Sequence, residues 1–449
     1  MKSWYHSKYS VQFLGIFIIF MGSPLIFFFK ETLGFGGSSI FTLASFILGM
    51  GLMFSPKEFL SKLYKPNLIL LRLAAVFFFV TILNYIVHNP YSSFWNFGKG
   101  PFFLDLSNYI LIFTFFILLL GVSNNIKDYF IPLVVVLTFL GSLCLIYSMR
   151  TNVNFIIGQR ATVVFGDGSS AQSGNPHVYA KNAFAGLFAS ILFLKTKNIL
   201  FKLLSVSNLI LSLVILVLTQ SRATILSLFL TLAVLFYYKI SFKDLKKQVS
   251  KIFTLKNIVI ILLLGWGIMY FLDKQYNALL IINLYYDSVM VSLSKALLTA
   301  SGLSDSENVD MSALGRIYSL AIFKKVLFEA PYLLIFGNGF KALYMDIPIL
   351  ETLFDCGIIA FVSFSLLNFY IFKESIKAIK DGTNPLTFFL GCYYMTYFVG
   401  IFTGGEPYGT SYWFIFGIMI RFMGIKYLDS VADVSVQPLQ PSLTPLTIL

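Results

Sequence analysis

The feature that most constrains this chain is a series of long, uninterrupted apolar runs separated by short gaps, most of which carry lysine. Each run approaches the roughly 20 residues that a helix needs to cross a hydrocarbon core. None shows the apolar–polar alternation of a membrane barrel strand. Only 12% of the residues are charged, about half the share found in soluble domains, so the chain has too little polar surface to face water on all sides. In lipid every backbone N–H and C=O must be satisfied within the segment, and a continuous apolar run does this only as a helix. The sequence therefore predicts an all-α, polytopic transmembrane helical bundle of about twelve spans.

The expected spans are Val11–Phe29, Gly37–Phe54, Leu68–Val87, Phe103–Val122, Ile131–Met149, Tyr179–Leu194, Leu203–Thr219, Ala223–Tyr238, Ile258–Leu272, Ile349–Phe372, Leu386–Phe402 and Ser411–Ile425. The first follows Lys2 and Lys8 without a small-residue cleavage site, so it reads as a span and not a leader. With both termini cytoplasmic, the even-numbered gaps hold Lys57, Lys62 and Lys65, then Lys127, then Lys195, Lys197 and Lys202. They continue with Lys239, Lys243, Lys246, Lys247, Lys251 and Lys256, then Lys373, Lys377 and Lys380. Lysine-bearing loops face the cytoplasm, which fixes this register. The net charge of +13 is thus a signature of loops against anionic lipid, not of nucleic-acid binding.

Residues 1–427 form the expected bundle, and 428–449, with Pro438, Pro441 and Pro445 and no apolar period, form an expected disordered cytoplasmic tail. The outer gap 273–348 is too long for a simple connection and reads as a large helical outer loop inserted in the bundle. Within it Tyr285–Thr299 and Leu314–Phe328 have helical apolar spacing, joined by a polar link, Ser301–Ser312. Asp305, Glu307 and Asp310 in that link read as solvated charges. Cys144, Cys356 and Cys392 lie in or beside apolar runs in no pairing or ligand pattern, so neither disulfides nor a metal is expected. No nucleotide-binding glycine motif is present, and Phe165–Ser170 lacks the lysine a phosphate loop needs. No cofactor is expected. The aromatic stretch 91–97, which includes Trp95, reads as an interfacial anchor.

The six arginines depart from the lysine pattern. Arg150, Arg160, Arg222 and Arg316 fall on the outer side; only Arg72 and Arg421 lie near cytoplasmic ends. Arg222 separates two apolar runs with almost no loop, and charge at membrane depth marks substrate or ion pathways. Guanidinium stays charged, and its planar fork matches phosphate oxygens bidentately. An outward arginine cluster therefore points to phosphate or pyrophosphate at the outer leaflet. The plainer alternatives are that Arg222 snorkels to headgroups and that Arg150 simply ends a helix.

Thr219-Gln220-Ser221-Arg222-Ala223, followed by an apolar run, resembles the Ser-Arg signature of the O-antigen polymerase and O-antigen ligase superfamily. Upstream, Arg160 followed by Gly174-Asn175-Pro176-His177 is similar to that superfamily's arginine and Asn-Pro turn. Downstream, Gly315-Arg316, Pro331, Gly337-Asn338-Gly339-Phe340, Asp346, Leu350-Glu351 and Gly357-Ile358-Ile359 resemble the stretch that ends its large periplasmic loop. The resemblance covers roughly Arg160 to Phe372. In the ligase branch a histidine usually stands where this chain has Asp346, a departure that favours polymerase over ligase.

The resemblance implies a bacterial inner-membrane enzyme that joins undecaprenyl-pyrophosphate-linked oligosaccharides at the periplasmic face. It also implies a separate chain-length regulator as partner. Arg160, Arg222 and Arg316, with Arg150 beside them, are then expected at pyrophosphate. Asp346 is the first candidate for the base that takes the acceptor's proton, and His177 the second. Glu351 and Glu406 are expected to contact sugar or pair with an arginine, an ion pair being the plainer role for Glu406. The competing functions are an O-antigen ligase acting on lipid A-core and a lipid-linked oligosaccharide flippase. A flippase would need cations deep within several spans and related halves, and neither is visible.

Overall fold

The computed structural model describes residues 8–35, 39–56, 63–87, 100–164, 174–194, 196–239, 266, 270, 278–301, 311–425 and 428. Every regular element among them is helical. Besides a π-helical turn (Phe28–Thr32) and a 3-10 turn (Asn124–Ile126), these are in chain order α1 (Lys8–Phe20), α2 (Ser23–Phe27), α3 (Ser39–Met53), α4 (Leu68–Val87), α5 (Gly100–Leu120), α6 (Lys127–Thr151), α7 (Pro176–Phe193) and α8 (Ile199–Thr219). They continue as α9 (Arg222–Lys239), α10 (Ala278–Ser301), α11 (Met311–Glu329), α12 (Tyr332–Phe336), α13 (Pro348–Asp381), α14 (Pro385–Thr403) and α15 (Thr410–Phe422).

The expected spans inside the described residues fall on helical segments, two of them interrupted: Val11–Phe29 between α1 and α2, and Ile349–Phe372 at Gly357. The expected span Ile258–Leu272 lies outside them apart from Trp266 and Tyr270, as do the 91–97 and 165–170 stretches, Asp305, Glu307, Asp310 and the tail beyond Leu428. Among the described residues, five helical segments are long and apolar enough to cross a membrane: Leu68–Val87, Asn124–Thr151, Ile199–Thr219, Pro348–Asp381 and Pro385–Thr403. A sixth is added if α1 and the Ser23–Thr32 segment, bent by 69° at a short break, count as one span. The bend was not expected within Val11–Phe29; Gly22 and Pro24 sit at it, and a proline there opens a new helix while denying the old one a donor. The helical spacing read at Tyr285–Thr299 and Leu314–Phe328 corresponds to α10 and α11.

Local sequence accounts for several helix starts. Asn175, Asn198 and Asn384 each accept backbone N–H groups from the first turns of α7, α8 and α14, satisfying donors that a helix start leaves unpaired. Pro176 and Pro385 follow two of these caps, where a missing N–H costs nothing. The central element is α14, which packs on α13, α9, α7, α6 and α15. Its apolar window is 67% buried, against 28% for α8, which turns Leu200, Leu203 and Val217 outward.

Buried polar side chains join α6, α7 and α8. Asn182 Nδ2 donates to Thr138 O (3.0 Å), and Asn208 Nδ2 donates to Thr138 Oγ1 (3.1 Å) and Ser190 Oγ (3.0 Å). Between apolar helices such bonds act as specific ties, each worth about 0.6–2 kcal/mol in lipid. Arg421 has a comparable architectural role at one end of the bundle. It is fully buried and donates to Leu119 O, Val122 O and Asn124 Oδ1, and its guanidinium lies 4.9 Å from the Tyr64 ring. It thereby satisfies carbonyls at the end of α5 that have no partner within their own helix. The residues singled out as functional gather at the opposite end.

Candidate functional site

The two upstream motifs meet at the start of α7 and the α8–α9 junction. Gln220 ends α8 in the left-handed conformation (φ 48°). Its side chain donates to Gly158 O (2.9 Å) and accepts from Ser288 Oγ of α10 (3.0 Å). Ala161 N also donates to Leu218 O (2.9 Å), so the segment carrying Arg160 lies along the end of α8. Ser221 then precedes α9. Its Oγ lies 2.9 Å from Thr224 Oγ1 and 2.7 Å from His177 Nδ1. The Asn-Pro-His turn and the Ser-Arg signature are therefore joined directly by a side-chain hydrogen bond.

The third motif reaches the same place from α11. Arg316 Nη2 donates to Thr403 O at the end of α14 (3.0 Å), a favourable seat for a cation against the negative end of a helix. Lys181 stands one turn after His177 on α7 and lies 4.2 Å from the centre of the Tyr397 ring. His177 registers the whole group. It keeps an open edge to solvent, but crowding around the ring, followed by the charges of Lys181, Arg160, Arg316 and Arg222, lowers its pKa to about 4. Protonation is disfavoured first by the crowding and then because it would add a fifth positive charge.

These cations collect where α7 and α9 begin. Helix N-termini already present positive potential and unpaired N–H groups. Like charge gathered there costs stability, and a bound anion offsets it.

A second group lies around the segment 337–346. Asp346 Oδ2 would be 3.1 Å from a β-carbon placed on Gly315, the residue beside Arg316. Burial and then the negative charge of the neighbouring Asp346 push the Tyr344 pKa up. Lys341 is bracketed by Asp105 Oδ1 (2.8 Å) and Glu406 Oε2 (3.0 Å). Burial pulls the Lys341 ammonium down, yet those two carboxylates hold its pKa above the ordinary value.

Of the residues expected at the site, Arg160, Arg222, Arg316 and His177 converge, and Asp346 lies beside Gly315–Arg316. Arg150 is exposed in the last turn of α6, where a cation suits the helix C-terminus. Glu351 requires a correction. It is 1% exposed, and its Oε2 accepts from Met345 N (2.9 Å), so it does not face a sugar. Glu406 is engaged by Lys341. The reading overlooked Lys181, Tyr344 and the Asp105–Lys341 pair. A lysine four residues after a histidine, and an aspartate within the run Phe103–Val122, were the available signals.

No family model matches the chain, and no curated protein matches it at a significant level.

Proposed function

We propose that the chain is an inner-membrane glycosyltransferase of the O-antigen polymerase type, with about twelve spans, both termini cytoplasmic and the cation cluster at the periplasmic face. Residues 273–348 form its large outer loop. Its substrates are undecaprenyl-pyrophosphate-linked oligosaccharides held beside membrane lipid, with a chain-length regulator as partner. The observation that carries this reading is the convergence of Arg160, Arg222, Arg316 and Lys181 on His177 between two helix N-termini. A pyrophosphate ester is an anion that fits such a place, and the lysine pattern puts this end outside.

In the proposed reaction an acceptor sugar's hydroxyl oxygen bonds to the donor's anomeric carbon as the carbon–oxygen bond to pyrophosphate breaks. The electron pair leaves with the lipid pyrophosphate, whose growing charge is met by the fixed cations. The hydroxyl proton passes to Asp346, the first choice because crowding and then the surrounding positive charge lower the His177 pKa and leave its imidazole a weak proton acceptor. No metal or cofactor enters the scheme.

His177 supplies a spectroscopic prediction. Its folded pKa lies below the unfolded value of about 6.5, so its contribution to stability is present above that pH and is lost as pH falls towards about 4. Pyrophosphate bound among the four cations screens them and raises the pKa, expected to be by about one unit or more. An NMR titration of the ring with and without inorganic pyrophosphate tests this. An unchanged midpoint at saturating pyrophosphate counts against the site.

The function is tested in cells by deleting the gene. Surface glycan reduced to single repeat units, restored by the wild-type chain, is the expected result. Complete loss of surface glycan, with polymer retained on its lipid carrier, indicates a ligase. Retention of single units on the cytoplasmic side indicates a flippase.

A further inference from the structure

Glu351 and Asp355 sit one turn apart on the first part of α13 and are both buried, at 1% and 0% exposure. Like carboxyl groups at this spacing disfavour an isolated helix. Both are turned to the backbone of the preceding segment. Glu351 Oε2 accepts from Met345 N (2.9 Å), and Asp355 Oδ1 accepts from Leu343 N (3.2 Å). Asp355 Oδ2 also accepts from the Tyr408 hydroxyl (3.3 Å), which anchors it to the loop after α14. The same turn of α13 offers two further acceptors because the helix breaks at Gly357. Phe354 O accepts from Asn338 N and Asn338 Nδ2 (both 2.9 Å), and Asp355 O accepts from Gly339 N (2.9 Å).

One helical turn thus receives four backbone donors from residues 338–345, two on freed carbonyls and two on carboxyl side chains. Met345 is fully buried, while Tyr344 is 56% exposed and feels the charge of Asp346. The carboxyl groups take the N–H of the residue before Tyr344 and of the residue before Asp346.

We infer that Glu351 and Asp355 are positioning residues that hold segment 341–346 in the one conformation that sets Asp346 against Gly315–Arg316. Their effect on turnover rests on the glycosyltransferase reading; their grip on the segment does not. Amide exchange reads the grip in the full-length protein. In Glu351→Ala the Met345 amide exchanges about tenfold faster or more, while α14 amides keep their protection. Glu351→Gln, which retains a side-chain carbonyl acceptor, restores most of the difference. Asp355→Ala does the same to the Leu343 amide. Unchanged exchange at Met345 and Leu343, or equal loss of protection throughout the bundle, overturns the inference.

The second readout is the rate of sugar joining on the lipid-pyrophosphate donor. Glu351→Ala lowers kcat and leaves the pyrophosphate-induced shift of His177 intact. Combined with Asp346→Asn, it costs no more than Asp346→Asn alone, because both remove one contribution. Multiplicative losses in the double variant contradict positioning. An inactive wild type counts against the glycosyltransferase reading, and the exchange result still decides the grip.

Discussion

Replacing Arg222 with alanine is expected to abolish chain growth on a lipid-pyrophosphate donor, with turnover falling by about 100-fold or more. Arg222 opens α9 directly after Ser221, which is hydrogen-bonded to His177, so its charge belongs to the ring of cations acting on that imidazole. In the proposed reaction, charge develops on the departing pyrophosphate, and a fixed cation there lowers the barrier more than it strengthens ground-state binding. Loss of the guanidinium should therefore depress kcat more than it raises KM. Arg222→Lys keeps the charge but not the planar fork and should recover only part of the rate. Arg316→Ala is the less informative variant, because Arg316 also donates to Thr403 O and its loss disturbs the end of α14. A variant at Arg222 that elutes like the wild type and retains full turnover would remove this residue from the mechanism.

The largest effect on stability is expected at Gly357. Its φ of 78° and ψ of −174° lie in a region of backbone space that is essentially restricted to glycine. A β-carbon there would run into Ile335 O and sit 2.7 Å from Phe336 C and 2.9 Å from Gly337 N. Gly337 mirrors this, with φ 89° and a β-carbon directed into Asp355 O. The two glycines let α12 and the break in α13 meet backbone to backbone, which frees Phe354 O and Asp355 O for the 338–339 amides. Gly357→Ala combines strain with overlap and is expected to cost about 2–6 kcal/mol. That is a large share of a typical folding free energy of about 5–15 kcal/mol. Gly51→Ala is the control: it lies in α3, where a β-carbon meets nothing within 4 Å, and it should leave stability unchanged or raise it slightly. Denaturant midpoints of the two variants in detergent check the contrast; equal midpoints contradict this account of the break.

The longer helices were legible because they are apolar runs long enough to need internal hydrogen bonding. Leu68–Val87 was placed to the residue. The breaks were not legible. Gly357-Ile358-Ile359 reads as the entry to a span, and only the meeting with Gly337 shows that the glycine interrupts one. The arginines stood out in the sequence because their positions depart from the lysine pattern. Lys181 escaped because it lies inside an apolar run, where the Tyr397 ring gives its ammonium a place. Glu351 was misread because a carboxylate at the mouth of a span resembles a substrate contact; that its partner is Met345 N depends on the fold of the loop before it.

The most direct test of the central claim is to incubate the purified chain with the undecaprenyl-pyrophosphate repeat unit of its own organism, alone and then with lipid A-core. The account predicts a ladder of lipid-linked multimers from the donor alone, absent with Arg222→Ala. Transfer seen only when lipid A-core is supplied would contradict the polymerase reading and identify a ligase instead.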